Sequence, residues 1–242
     1  MLEIVTGIVG SRLRWRTMPW LVLLFGLMIA PLGIISILFI IIQPIVIGTW
    51  STIALIGAAA ILVQIPYSID EFIATLQFLR RRVKAGRNWL RVLFLGDTDE
   101  MPRAREVGTV GDEFDRPPGA VIRDMVGGGV SLPWNLALSG LIGLSLLFTR
   151  ITLGAEGGLA NSEHLIGSLV LAVTALAAAE VARLLRLLNV LLGAALFATP
   201  FIYGASMVAT LASLVCGATL VALSIRWGPI RERYGHWTRL IV

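Results

Sequence analysis

Few residues of this chain could do chemistry: one cysteine, two histidines and a small set of carboxylates. Cys216 has no second thiol and lies in an apolar run, where a thiol serves as a small hydrophobe, so intramolecular dithiol chemistry is excluded. His164 stands beside Glu163, and His236 beside Trp237. An imidazole at His164 could ligate a pigment or haem at a membrane surface, or it could be an interfacial polar residue. Glu180 raises the question put to any carboxylate in an apolar stretch, whether it relays protons. Arg183 and Arg186 offer it a local ion pair instead. The acidic run Asp97-Thr98-Asp99-Glu100 lacks the ligand spacing of an EF-hand and forms no paired-carboxylate site, so no metal is expected there. Gln43, Gln64 and Asn189 can be met by hydrogen bonds between helices. The sequence has no phosphate loop, nucleophile triad, metal cluster or nucleotide fingerprint. The expectation is no enzyme, no cofactor and no metal.

The elements that carry these residues follow from composition. Hydrophobic residues make up 57% of the 242, and charged residues 14%, against about 25% charged in an ordinary soluble domain. The mean hydropathy is +0.85. Crossing about 30 Å of hydrocarbon at roughly 1.5 Å per residue takes an apolar run of some twenty residues. Six runs qualify, at roughly 19–42, 48–67, 132–149, 164–183, 187–203 and 205–225. The expected fold is therefore all-α, a polytopic integral membrane protein of about six transmembrane helices. Pro31 and Gly33 predict a kink in the first, and Gln43-Pro44 followed by Gly48-Thr49 predicts a tight turn to the second. The first run is too long for a signal-peptide core and is expected to stay as an anchor.

The cations fix the orientation. The net charge of +5 could suggest nucleic acid in a soluble chain, but here short basic loops mark the cytoplasmic face, and nucleic acid is set aside. With six crossings every Arg and Lys except Arg150 falls on one side, so both termini are expected to be cytoplasmic. A bacterial inner membrane is the expected location, given nineteen Arg to one Lys. The chain divides into an interfacial segment at 1–18, with Trp15 and Trp20 at the aromatic belt, and a hairpin at 19–67. A cytoplasmic amphipathic helix and polar linker at 68–131, a four-helix domain at 132–226 and a tail at 227–242 complete it. Over residues 70–83, Phe72, Ile73, Leu76, Leu79 and Val83 share one helical face. Arg80, Arg81, Arg82, Lys84, Arg87 and Arg91, with Trp89 and Phe94 among them, suit anionic lipid headgroups.

The four-helix domain repeats itself. Pro133-Trp134-Asn135 to Gly140 opens its first span and Leu187-Leu188-Asn189 to Gly193 its third. Phe148-Thr149 and Phe197-Ala198-Thr199-Pro200 follow, and Gly167 and Gly217 hold matching places. Two hairpins about 50 residues apart are implied, their small residues allowing close helix approach. On these residues the C-terminal half resembles the SPW-repeat membrane domain, with Thr199-Pro200 for the usual Ser-Pro. The stretch from Gln43-Pro44 through Gly48-Thr49-Trp50-Ser51 to Pro66-Tyr67 is similar to the last hairpin of vitamin K epoxide reductase homologues. In that family the Trp precedes a Cys-x-x-Cys pair that reduces a quinone; here the two positions are Ser51 and Ala54. Neither side chain can exchange thiols.

With those positions emptied, the expected function is a non-catalytic accessory subunit. It would pack against other integral membrane subunits and stabilise a larger complex, respiratory, photosynthetic or quinone-linked. The alternative is a degenerate quinone- or lipid-binding module using a groove around Trp50, Ser51 and Tyr67. A weaker alternative is a small transporter, which would need polar groups near the midplane in matching halves.

Overall fold

The computed structural model describes residues 14–97 and 129–226. The expectations for residues 1–13, for most of the polar linker, and for the tail with His236 lie outside these. Helix α1 spans Arg14–Thr17, α2 Pro19–Ile42, α3 Thr52–Lys84 and α4 Trp89–Leu95. After the linker come α5 at Trp134–Leu147, α6 at Thr149–Thr152, α7 at Gly157–Ala178, α8 at Leu188–Tyr203 and α9 at Met207–Ile225. The described residues form no strand, only an isolated bridge between Val130 and Ala179.

Five of these segments are long and apolar enough to cross a membrane: Pro19–Ile47, Thr52–Lys84, Gly157–Ala178, Glu180–Tyr203 and Met207–Ile225. With 14 residues, α5 reaches only about 21 Å. Across its described residues the protein is all-helical, with the apolar helices of a multi-pass membrane protein.

Two expected boundaries change. The second apolar run and the amphipathic helix expected at 68–83 are one element, since α3 continues unbroken through Pro66 for 33 residues, about 50 Å. Proline removes one backbone donor, and a helix within lipid or packed on neighbours tolerates that. The buried face of its lower half is Thr75 and Phe78, both fully buried, with Arg82 half-buried; Leu76 and Val83 of the expected face are exposed. Phe78 packs edge-on against Trp15 of α1 at 5.6 Å between centroids. The run expected at 164–183 is displaced: α7 begins at Gly157, which like Gly154 just before it has a positive φ, and ends at Ala178. A tight 3-10 helix over Glu180–Leu187 then carries the basic pair.

The turn of the first hairpin shows how sequence builds it. Pro44 lacks an N–H, so the ladder widens into a π-turn over Gln43–Ile47 and stops at Gly48, whose φ of 76° suits glycine. Gln43, 5% exposed, accepts the Ser51 N–H at 2.9 Å and clasps the loop. Ser51 Oγ accepts the Ala54 N–H at 3.4 Å as the N-cap of α3.

In the repeat domain, α5 pairs with α7 and α8 with α9. Gly143 meets Gly167 so closely that a Cβ on Gly167 would lie 2.6 Å from the Gly143 carbonyl oxygen. Gly193 and Gly217 do the same, at 2.8 Å from Gly217. The core between the hairpins is built from counterparts 50 residues apart: Ile142 and Leu192, Leu146 and Leu196, Ile166 and Cys216, Val170 and Leu220. This corrects the expected register. Gly143, not Gly140, is the counterpart of Gly193, and Gly140 meets only the Thr174 methyl at 3.6 Å. Asn135 and Asn189 are not counterparts either. Asn135 donates to the carbonyls of Leu223 and Arg226 at 3.2 and 2.9 Å, while Asn189 is fully buried on α8. Thr149 and Thr199, 50 apart, each donate to the carbonyl three residues back. Pro200 lies buried inside α8.

Candidate functional site

Polar side chains of the spans collect at two ends of the protein's interior. At the turn end, Pro44 frees the Ile40 carbonyl, and His164 of α7 takes it, with Nε2 2.8 Å from that oxygen. The Nε2–H tautomer donates there, and Nδ1 lies 3.3 Å from the Leu147 carbonyl at the end of α5. Trp50 stands edge-on to the imidazole at 5.1 Å and tilted over Phe148 at 5.7 Å. His164 is 4% exposed. It is a strut between the hairpin and the repeat domain. The His164→Leu variant should leave the carbonyl unpaired and cost about 1–2 kcal/mol, between the usual membrane hydrogen bond and the penalty of a buried orphan. Unfolding in detergent micelles measures this, and an unshifted transition would remove the strut from the account.

One residue earlier, Glu163 is 1% exposed, and its Oε1 accepts the Ser213 hydroxyl at 2.6 Å. These two are also 50 apart, so the bond ties the first hairpin to the second at matching positions. Sequence reasoning passed over Glu163 because it sat next to a histidine at an assumed helix end. The 50-residue register, read from Gly167 and Gly217, would have found it.

At the opposite end, residues 129–131 run beside 178–180, with Ser131 N–H on the Ala178 carbonyl and Glu180 N–H on the Gly129 carbonyl, each at 3.0 Å. Ser131 bridges opposite charges. Its hydroxyl donates to Glu180 Oε1 at 2.7 Å and accepts from Arg183 Nη2 at 2.5 Å. Arg186 donates to the carbonyls of Ser224 at 3.0 Å and Arg183 at 3.1 Å. Glu180, Arg183 and Arg186 are at most 1% exposed. Ser131 thus links Glu180 to Arg183, and both arginines are interior residues.

The residues expected to form a quinone or lipid groove are not brought together. Trp50 and Ser51 cap the start of α3, and Tyr67 lies sixteen positions along the same helix, about 24 Å away. Of the expected interfacial cations, Arg80, Arg81, Lys84, Arg87 and Arg91 are exposed, beside the exposed apolar side chains Trp89, Leu90 and Phe94 of α4. Arg82 is instead tied to Asp97, its Nε 2.8 Å from Oδ2, while the Asp97 N–H reaches the Arg16 carbonyl at 3.1 Å. That clasp joins α1, α3 and the end of α4. Among the described residues, no group of three metal-ligating side chains occurs. No family model matches the chain, and no curated protein or solved structure matches it.

Proposed function

We propose that the chain is a non-catalytic accessory subunit of a larger assembly in a bacterial inner membrane, crossing six times with both termini cytoplasmic. The observation that carries this reading is where the polar side chains go. His164, Asn135, Ser139, Ser168, Thr199 and Arg186 all bond the protein's own backbone carbonyls. The outside of α2, by contrast, offers Leu27, Ile34, Ile35 and Phe39, each about half exposed or more. Such a body is rigid within and apolar without, suited to packing against lipid and other membrane helices. The sixth crossing is α5, which pairs with α7 as α8 pairs with α9; a span of about 21 Å is accommodated by thinning the bilayer around it. Ser51, at a position where vitamin K epoxide reductase homologues carry a redox cysteine, is used as a helix cap, which supports the non-enzymatic reading.

The test is gentle solubilisation from native membranes followed by native-mass analysis. Stoichiometric partners are the expected result, and recovery only as a free monomer would overturn the proposal.

A further inference from the structure

Helix α4 has the build of an element that lies on a surface. Its 7 residues are too few to cross a bilayer. Asn88 starts it as the N-cap, its side-chain oxygen accepting the N–H groups of Leu90 and Arg91 at 3.0 and 3.5 Å. Val92 is the residue it buries. On the side away from Val92, Leu90 and Phe94 stand one turn apart, and both, like Trp89 at the helix start, are about half exposed. The helix therefore turns an aromatic and aliphatic face outward.

Two contacts hold that face in place. The Asp97 N–H donates to the Arg16 carbonyl at 3.1 Å, and a Cβ on Gly96 would lie 2.5 Å from the same oxygen, so only glycine lets the chain approach α1 this closely. The Asp97 carboxylate accepts Arg82 Nε at 2.8 Å, which ties the end of α4 to the last turn of α3. Three residues after Arg16 comes Pro19, where the apolar span Pro19–Ile47 begins. The exposed apolar side chains of α4 are thus fixed beside the polar end of a span, not at the tip of a free loop.

The surroundings are cationic. From Arg80 to Leu95 the sequence carries no acidic residue. Arg80 and Lys84, one turn apart near the end of α3, and Arg87 and Arg91, at the start of α4, are all exposed. Arg87 comes within 3.8 Å of the Asp97 carboxylate, which Arg82 already occupies. Whatever covers this surface has to be apolar against Leu90 and Phe94 and anionic against the four cations. A leaflet with anionic headgroups is both, and the span that begins at Pro19 brings it to this end of the protein without any partner. We propose that α4 and the end of α3 form a docking site for anionic phospholipid. The phosphates lie on Arg80, Lys84, Arg87 and Arg91, and the outward face of α4 enters the acyl boundary. The site goes beyond the subunit reading and does not depend on it.

The experiment uses the purified full chain carrying Cys216→Ala and Phe94→Cys, with an environment-sensitive nitrobenzoxadiazole label on the thiol at 94. It is reconstituted into vesicles of phosphatidylcholine, or of phosphatidylcholine with an equal part of phosphatidylglycerol. Emission should be blue-shifted where phosphatidylglycerol is present, and molar salt should reverse the shift by screening exposed charges. Adding Lys84→Gln and Arg91→Gln should abolish the response and leave the unfolding temperature unchanged, since both side chains are exposed. A label at Leu95→Cys repeats the reading with Phe94 intact. Equal emission in the two kinds of vesicle would overturn the assignment, as would a lipid response that survives the loss of Lys84 and Arg91. Emission that is water-like in both vesicles but blue-shifted in native membranes would overturn it in favour of an acidic partner protein.

Discussion

Arg183→Met is expected to destabilise the protein by about 3–5 kcal/mol, the cost of removing one member of a buried charge pair. The guanidinium is fully buried and shares the Ser131 hydroxyl with Glu180, itself 1% exposed. Without the cation, Ser131 still donates to the carboxylate, but the charge it faced is gone, and Glu180 is left in an interior that disfavours it. The methionine keeps most of the side-chain volume, so cavity formation adds little. The second half of the expectation tells this mechanism from plain loss of packing. In Glu180→Gln/Arg183→Met both charges are absent, and much of the loss should return, because well-packed apolar replacements of buried ion pairs are often neutral. Unfolding free energies of the two single variants and the double variant form the cycle. Strict additivity of the single losses would mean that the two charges are not coupled through Ser131.

The same cluster marks where the sequence was legible and where it was not. Apolar runs announced α2 and α8 within a residue or so of their ends, because length and hydropathy are what a membrane selects. Arg183 and Arg186 announced a membrane face, but not that they would be buried there. A basic loop looks the same in sequence whether its cations meet water or the carbonyls of Ser131 and Ser224. The apolar run was expected to stop at residue 67 and an amphipathic helix to follow it, yet one helix packed on α1, α2 and α4 passes unbroken through both. His164 was visible as a possible ligand, while its partner, the carbonyl freed by Pro44, is 124 residues away and belongs to the backbone. A side chain whose role is to satisfy a remote main-chain group leaves no pairwise signal in one sequence. The gap of about 50 residues between the repeats was legible, but its register was not, since the Asn135 and Asn189 pattern pulled the alignment three to four residues off.

That register carries the second large effect, and small substitutions decide it. Gly143→Ala would place its Cβ 3.0 Å from both the Gly167 carbonyl oxygen and a Val170 methyl. Gly167→Ala is tighter, 2.6 Å from the Gly143 carbonyl oxygen and 2.8 Å from the Leu146 Cβ. A backbone carbonyl cannot rotate aside as a side-chain tip can, so the two helices must separate along their crossing, and packing is the main force that holds membrane helices together. Overpacking of this kind costs about 1–3 kcal/mol, with Gly167→Ala at the upper end and Gly167→Val beyond it. Gly193→Ala and Gly217→Ala should behave alike, at 2.9 and 2.8 Å from the facing glycine's carbonyl oxygen. Gly140→Ala should be tolerated, its nearest neighbour being a methyl at 3.6 Å. Gly57→Ala, with nothing within 4 Å, should gain up to about 1 kcal/mol of helix propensity. Thermal unfolding of the six alanine variants in one detergent separates the two registers directly. If Gly140→Ala proved as damaging as Gly193→Ala while Gly143→Ala did not, the hairpins would be related by the asparagine motif, and the 50-residue pairing of Glu163 with Ser213 would lose its basis.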